Sequence, residues 1–329
     1  MSLTFLIPML GKISAAIISL VQIALTVMSV PALSSSTPET PNPYLAPRTL
    51  ISAHRLGSGL APGNTLMAVE KTINSNNFNV DILEMDVQLT KDDELILLHN
   101  PVFDDTGNAV EAFGHVGVSP LLYNYKELHD KLNLGAKWDE SWASLRGADI
   151  PDDLRVVKLE DVLAYAEANS NPQKPLYYTI EAKLLPANLG YKAADKIVEI
   201  ANKLGIIDRI LFGSFLPETA QYVGRKYPTL ARTADPLEVL MFLDAFKNGD
   251  NLNKLSPRYK VLALPNGYGI DTMFKLADAK LVDYAHEYGI AVQYFTANDP
   301  DGTIAAKLAD IGADAVIGDD VAAIYEKFE

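Results

Sequence analysis

What most constrains this chain is an alternation: apolar runs of strand length recur eight times, and helical patterns fill most of the intervals between them. The runs are LISAH (50–54), VDILEMDVQLT (80–90), LYYTIEAK (176–183), ILFGSF (210–215), TLART (229–233), VLALP (261–265), AVQYFT (291–296) and ADAVIG (313–318). A further run, ELILLH (94–99), comes back after only Lys91-Asp92-Asp93 and reads as the return strand of a hairpin. The helical stretches YKAADKIVEIANKLG and FKLADAKLVDYAHEYG end in Gly205 and Gly289, a residue that enters the left-handed conformation of a helix C-terminus without steric cost. Parallel neighbours need a crossover helix, so the alternation implies a parallel sheet, and eight units close it into a (β/α)8 TIM barrel. The runner-up, an open doubly wound sheet, would bring a G-x-G-x-x-G turn after the first strand, and the GSG at 57–59 lacks that spacing.

Two segments precede the barrel. No charged residue occurs from Ile13 to Leu33, and Lys12 stands just before. At ~1.5 Å per residue this run is long enough to cross a bilayer, while Val30-Pro31-Ala32 offers a small-residue cleavage site, so residues 1–33 read as a signal peptide or a membrane anchor. Either reading puts the following domain outside the cytoplasm, as a secreted or membrane-anchored protein. Residues 34–47, SSSTPETPNPYLAP, form a Ser/Thr/Pro linker whose prolines disfavour helix. The folded domain then covers 48–329, with an insertion at about 104–153 after the hairpin. A net charge of −14 disfavours a nucleic-acid surface, and the absence of cysteine excludes disulfides, zinc-thiolate sites and thiol nucleophiles.

The ionisable residues gather late in the strands. His54 and Arg55 end the first, Glu84 and Asp86 share one face of the second, and Glu181 and Lys183 repeat that spacing on a later one. With Thr90 opposite Glu94, the hairpin puts His99 level with the carboxylates but on the Met85 face; a one-residue bulge would turn it onto theirs. Glu84 lies between Leu83 and Met85, and Glu181 between Ile180 and Ala182. Carboxylates buried in such strands cost several kcal/mol each without partners, so three converging ones call for a hard divalent cation, Mg²⁺ or Ca²⁺. His115, His129 and His286 sit in loop or charged helical contexts and receive no role.

Several of these pieces resemble one family. HRLGSGLAPGNT (54–65) is similar to the H-R-G…P-E-N-T opening of glycerophosphodiester phosphodiesterases, and LEMDVQLTKDDELILLHNP to their E-x-D-V…T-x-D-G…V-x-x-H-D segment. TIEAK, FGSF, YFTAN and ADAVIGDD resemble the later L-E-I-K, S-F, W-T-V-N and G-V-D-G-I-I-T-D pieces, in order, from Leu50 to the C-terminus. The resemblance implies a TIM barrel that hydrolyses glycerophosphodiesters to glycerol 3-phosphate and an alcohol. It makes Glu84, Asp86 and Glu181 the ligands of one divalent cation, His54 and His99 the acid–base pair, and Arg55 and Lys183 the phosphate contacts. Leu56, Gly63, Asn100, Phe295 and Gly318 depart from the family pattern; Gly63 and Asn100 stand where it has acidic residues. Two other readings compete: a phospholipase D-like enzyme acting on lysophospholipid or sphingolipid, and a non-catalytic descendant that binds phosphorylated ligands. The expected partner is a small glycerophosphodiester or lysolipid, with membrane contact only through an uncleaved N-terminal segment. The insertion carries Trp138 and Trp142, which either cap the mouth and select the alcohol or pack the insertion against the barrel.

Overall fold

The computed structural model describes residues 42–184, 186–255, 257–268 and 276–329; the apolar run at 13–33 and the first part of the linker lie outside these described residues. Its strands are β1 (Leu50–Ala53), β2 (Ile82–Leu89), β3 (Leu95–Leu97), β4 (Tyr177–Ala182), β5 (Ile210–Gly213), β6 (Ala231–Arg232), β7 (Val261–Pro265), β8 (Ala291–Phe295) and β9 (Ala315–Gly318). All but β3 run parallel, in the order β6-β5-β4-β2-β1-β9-β8-β7. The ends of that order meet through a parallel bridge between Thr233 and Val261, and Ala234 N donates to Val261 O at 2.8 Å. The sheet is thus a nearly closed (β/α)8 barrel, as the alternation requires.

The helices are α1 (Leu66–Ile73), α2 (Ala109–Phe113), α3 (Tyr125–Lys131), α4 (Leu159–Asn169), α5 (Ala187–Leu204), α6 (Pro217–Lys226), α7 (Pro236–Asn248), α8 (Ala279–Glu287), α9 (Thr303–Asp310) and α10 (Val321–Phe328). Alternation explains the core. Leu83, Met85 and Val87 of β2 and Tyr178, Ile180 and Ala182 of β4 join one apolar cluster with Ala193, Ala194, Ile197 and Ala201 of α5. Each large side chain taken from water there contributes roughly 1.5–3 kcal/mol. The other face of β2 and β4 is left to polar groups, and that face carries the site.

At the start of α7 the charges are buried. Arg232, 2% exposed, makes a two-pronged ion pair with Glu238 (2.6 and 2.7 Å). Glu238 also closes a capping box with Asp235, whose side chain accepts from Leu237 N and Glu238 N. Removing one partner strands the other's charge. Arg232→Ala is therefore expected to cost about 3 kcal/mol in urea unfolding; a loss below about 1 kcal/mol would refute this role.

The segment 104–153 shares a small separate core with the hairpin, in which Ile96, Leu98 and Phe103 pack with Val118, Leu128, Leu132 and Leu134. Its two halves are clasped by Asn108 and Asn133: Asn133 N donates to Asn108 Oδ1 (2.8 Å) and Asn108 N to Asn133 O (3.2 Å). At the opposite end of the barrel, Asn42 Nδ2 donates to Lys260 O (2.7 Å) and Gly289 O (2.9 Å), both just ahead of strands. Tyr44 is fully buried beside Leu211, Val261 and Ala291.

Candidate active site

The parallel register places Asp86 directly beside Glu181, and Glu84 lies on the same face of β2 two residues earlier. Carboxylate oxygens of Glu84, Asp86 and Glu181 all lie within 4.8 Å of one another. Asp86 is 1% and Glu84 6% exposed, so water does little to relieve the repulsion. Burial first, and Asp86 second, push the Glu84 carboxyl up to about 7. Burial also raises Glu181. Asp86 is held below the usual range, because Lys183, His99, Asn64 and Arg55 outweigh its burial. Lys183 Nζ stands 2.6 Å from Glu181 Oε1 and 3.3 Å from Asp86 Oδ1; Arg55 Nε is 3.6 Å from Asp86 Oδ2.

Arg55 is reached by an unusual backbone. It adopts φ 50°, in the left-handed region, and its N–H donates to Glu84 Oε2 at 2.8 Å. Asn64 is also left-handed (φ 61°). Its Nδ2 donates to Asp86 Oδ2 (2.8 Å), its Oδ1 accepts from Asp86 N (3.2 Å), and its own N donates to Arg55 O (2.9 Å). Thr65 caps α1, accepting from Ala68 N, and Asn64 is a positioning residue for the carboxylates.

The histidines are each fixed through Nδ1. His54 Nδ1 lies 2.5 Å from Asp319 Oδ1, and a carboxylate can only accept, so Nδ1 carries the proton. Ser58 Oγ and Asn298 Nδ2 donate to the same carboxylate. Burial works to lower the His54 pKa, but the Asp319 hydrogen bond and the charges of Glu84 and Asp319 outweigh it and hold the imidazole above its usual value. His99 Nδ1 meets Asn100 Oδ1 at 2.8 Å. Burial, and then the Lys183 charge, hold His99 below its usual value.

The hairpin pairs Val87 with Leu97, Gln88 with Ile96 and Leu89 with Leu95, the straight register, without the bulge that alternation invited. His99 reaches the site for a different reason: β3 ends at Leu97, so residue 99 no longer obeys the pleat, and it lines the same cavity as Arg55 and Asn64. Gly63 also lines this cavity, and a Cβ there would meet the Arg55 and Ser58 Cβ atoms at 3.0 Å. The local backbone thus disfavours the glutamate that the family pattern has at that position. Asp319 went unassigned in the sequence because it lies 265 residues from His54. Outside the site, His286 pairs with Asp314 at 2.7 Å, His129 Nδ1 with Val156 O at 2.9 Å, and His115 Nε2 with Tyr123 Oη at 2.8 Å.

The sequence matches the model of the glycerophosphoryl diester phosphodiesterase family over residues 54–323, a span that includes His54, Glu84, Asp86, His99, Glu181 and Asp319. The chain belongs to this family. Membership makes it a phosphodiester hydrolase by descent. Among its relatives is the glycerophosphodiester phosphodiesterase of Caldanaerobacter subterraneus subsp. tengcongensis, 30% identical over 151 residues, or 46% of this chain and 57% of that one. The Bacillus subtilis protein YqiK is 27% identical over 199 residues, 60% of this chain and 71% of the relative. An Oleispira antarctica phosphodiesterase solved with its product sn-glycerol-3-phosphate shares the fold with TM-score 0.62, at 20% identity, over 85% of this chain and 96% of that chain. The Agrobacterium tumefaciens glycerophosphodiester phosphodiesterase does so with TM-score 0.57 and 19% identity, over 84% and 99%.

The donor set suits a hard cation. It is made only of carboxylate oxygens, all three brought together on the polar face of β2 and β4.

Proposed function

We propose that this family member hydrolyses glycerophosphodiesters to glycerol 3-phosphate and an alcohol, using His54 and His99 as the proton-transfer pair. The observation that carries the reading is two imidazoles with pinned Nδ1 atoms beside a buried carboxylate triad flanked by Arg55 and Lys183. Glu84, Asp86 and Glu181 would hold one divalent cation, Mg²⁺ or Ca²⁺, which when bound supplies positive charge toward a phosphoryl oxygen.

The chain's own groups account for the rest. Arg55 and Lys183 neutralise the diester, whose charge otherwise repels a nucleophile. One imidazole takes a proton from the attacking water as the P–O bond to the alcohol breaks, and the other gives its proton to the departing oxygen. Because Nδ1 is committed in both rings, Nε2 is the atom that exchanges the proton. Two histidines displaced to opposite sides of the ordinary value supply one neutral and one charged ring over a shared pH window. The charge-free run ahead of the linker supports placing this activity outside the cytoplasm.

The test is release of glycerol 3-phosphate from a panel of glycerophosphodiesters and lysolipids by purified 34–329. Release should stop with EDTA and return with Mg²⁺ or Ca²⁺; lysolipid cleavage alone, or no release at all, would overturn the reading.

A pH profile adds a finer check. His99 sets an acid limb below the ordinary histidine pKa, and His54 an alkaline limb above it. Asp319→Asn removes the carboxylate that raises His54, so the alkaline limb should move to lower pH and the acid limb stay put. Activity at pH 8 should fall about tenfold or more. An unmoved alkaline limb would show that Asp319 does not tune His54.

A further inference from the structure

The cavity beside His99 has a second wall that the hydrolysis leaves without a role. Arg55, His99 and Asn100 line it from the barrel, and Asp105, Lys137 and Trp138 from the insertion, around about 270 Å³. The insertion wall is built to hold its shape. Gly107 adopts φ 79°, and a Cβ there would stand 2.2 Å from Asn133 O, so only glycine lets the turn carrying Asp105 close against the segment leading to Trp138. The Asn108–Asn133 clasp then fixes the two segments, and Asn133 Oδ1 accepts from Gly135 N at 3.0 Å.

The groups on this wall are available. Asp105 has no hydrogen bond or ion pair among the described residues. Trp138 is 45% exposed and pairs with no other ring or cation there. Asn100 spends Oδ1 on His99 and keeps Nδ2 free. Trp142, by contrast, is half-buried and packs beside Gly135.

The charges narrow the ligand. A cationic alcohol facing Trp138 and Asp105 would also face Lys137, whose Nζ donates to Asp104 O (2.6 Å). An anionic alcohol would face Asp105. A neutral polyol meets both as partners: hydroxyls donate to the carboxylate and accept from the ammonium and amide. An indole face wants a flat apolar surface in return, which the C–H face of a six-membered ring supplies and an open three-carbon chain does not.

The geometry points to a ring polyol, a cyclitol or hexose, as the alcohol arm of the substrate, selected by Trp138 and Asp105. This rests on the hydrolytic reading above and deepens it. Initial rates of the full chain with Mg²⁺ on glycerophosphoinositol, glycerophosphoglycerol, glycerophosphocholine and glycerophosphoserine test it. The inositol ester should lead the choline and serine esters by about tenfold in kcat/KM. Trp138→Ala and Asp105→Asn should each cost it about tenfold, chiefly in KM, while changing the glycerol ester less than about twofold. Preference for choline or serine, or equal losses on all four, overturns the inference. Were no ester hydrolysed, the hydrolytic reading would fall instead. Quenching of Trp138 fluorescence by glycerophosphoinositol, in a Trp142→Phe background, would then decide the wall's role: binding upholds it, no binding ends it.

Discussion

His99→Ala is expected to lower kcat by about a thousandfold or more while changing KM by less than about fivefold, measured as glycerol 3-phosphate release under saturating metal. The asymmetry follows from the placement. In the proposed mechanism substrate charge would be met by Arg55 and Lys183, which the substitution leaves alone, whereas the proton on Nε2 would matter only as bonds to phosphorus form and break. His54→Ala should be comparably damaging. The double variant should be little worse than either, because the two rings serve one event and their losses do not add. A loss under tenfold for His99→Ala would mean that the ring only lines the cavity.

Glu84→Gln should separate stability from function. In the folded, metal-free protein Glu84 titrates near 7, against 4.5 for the free side chain, because it is buried and beside Asp86. The folded state therefore keeps its proton longer than the unfolded chain does. Its contribution is intact below about pH 4.5 and is lost as pH climbs through 7, a swing of roughly 3 kcal/mol. The Tm of EDTA-treated wild type should fall between pH 5 and pH 8, by about 5–10 °C, and Mg²⁺ or Ca²⁺ should recover much of it. Glutamine keeps an oxygen for the Arg55 N–H but has no charge. The variant's Tm should be flatter with pH and nearly indifferent to metal, and its activity should drop about a thousandfold or more. A variant that still gains stability from metal like wild type would remove Glu84 from the ligand set.

Much of this arrangement could be read from residue order. Alternation is a local property, so Glu84 and Asp86 on β2, and Glu181 on β4 with Lys183 just past its end, declare their shared face to anyone who counts by twos. Apolar neighbours on both sides announce their burial. His54 follows from ending β1. What escaped reading depends on where regularity stops. His99 is legible as a candidate, but its route is not: β3 ends two residues earlier, and no period governs a chain past its strand. Asn64 and Arg55 take left-handed conformations, which ordinary propensity assigns to glycine, so their contacts with Asp86 and Glu84 were invisible. Asp319 and Asn298 are brought to His54 by the closure of β9 onto β1, a tertiary event with no local signature.

The anchoring of Asn42 and Tyr44 beneath the strands sets the enzyme's polarity. Asn42 lies at the floor, while the catalytic opening is at the roof. Fixing the protein to a bead or sensor chip at residue 42 would thus present that opening to the bulk solution, whereas attachment through the insertion would press it against the support.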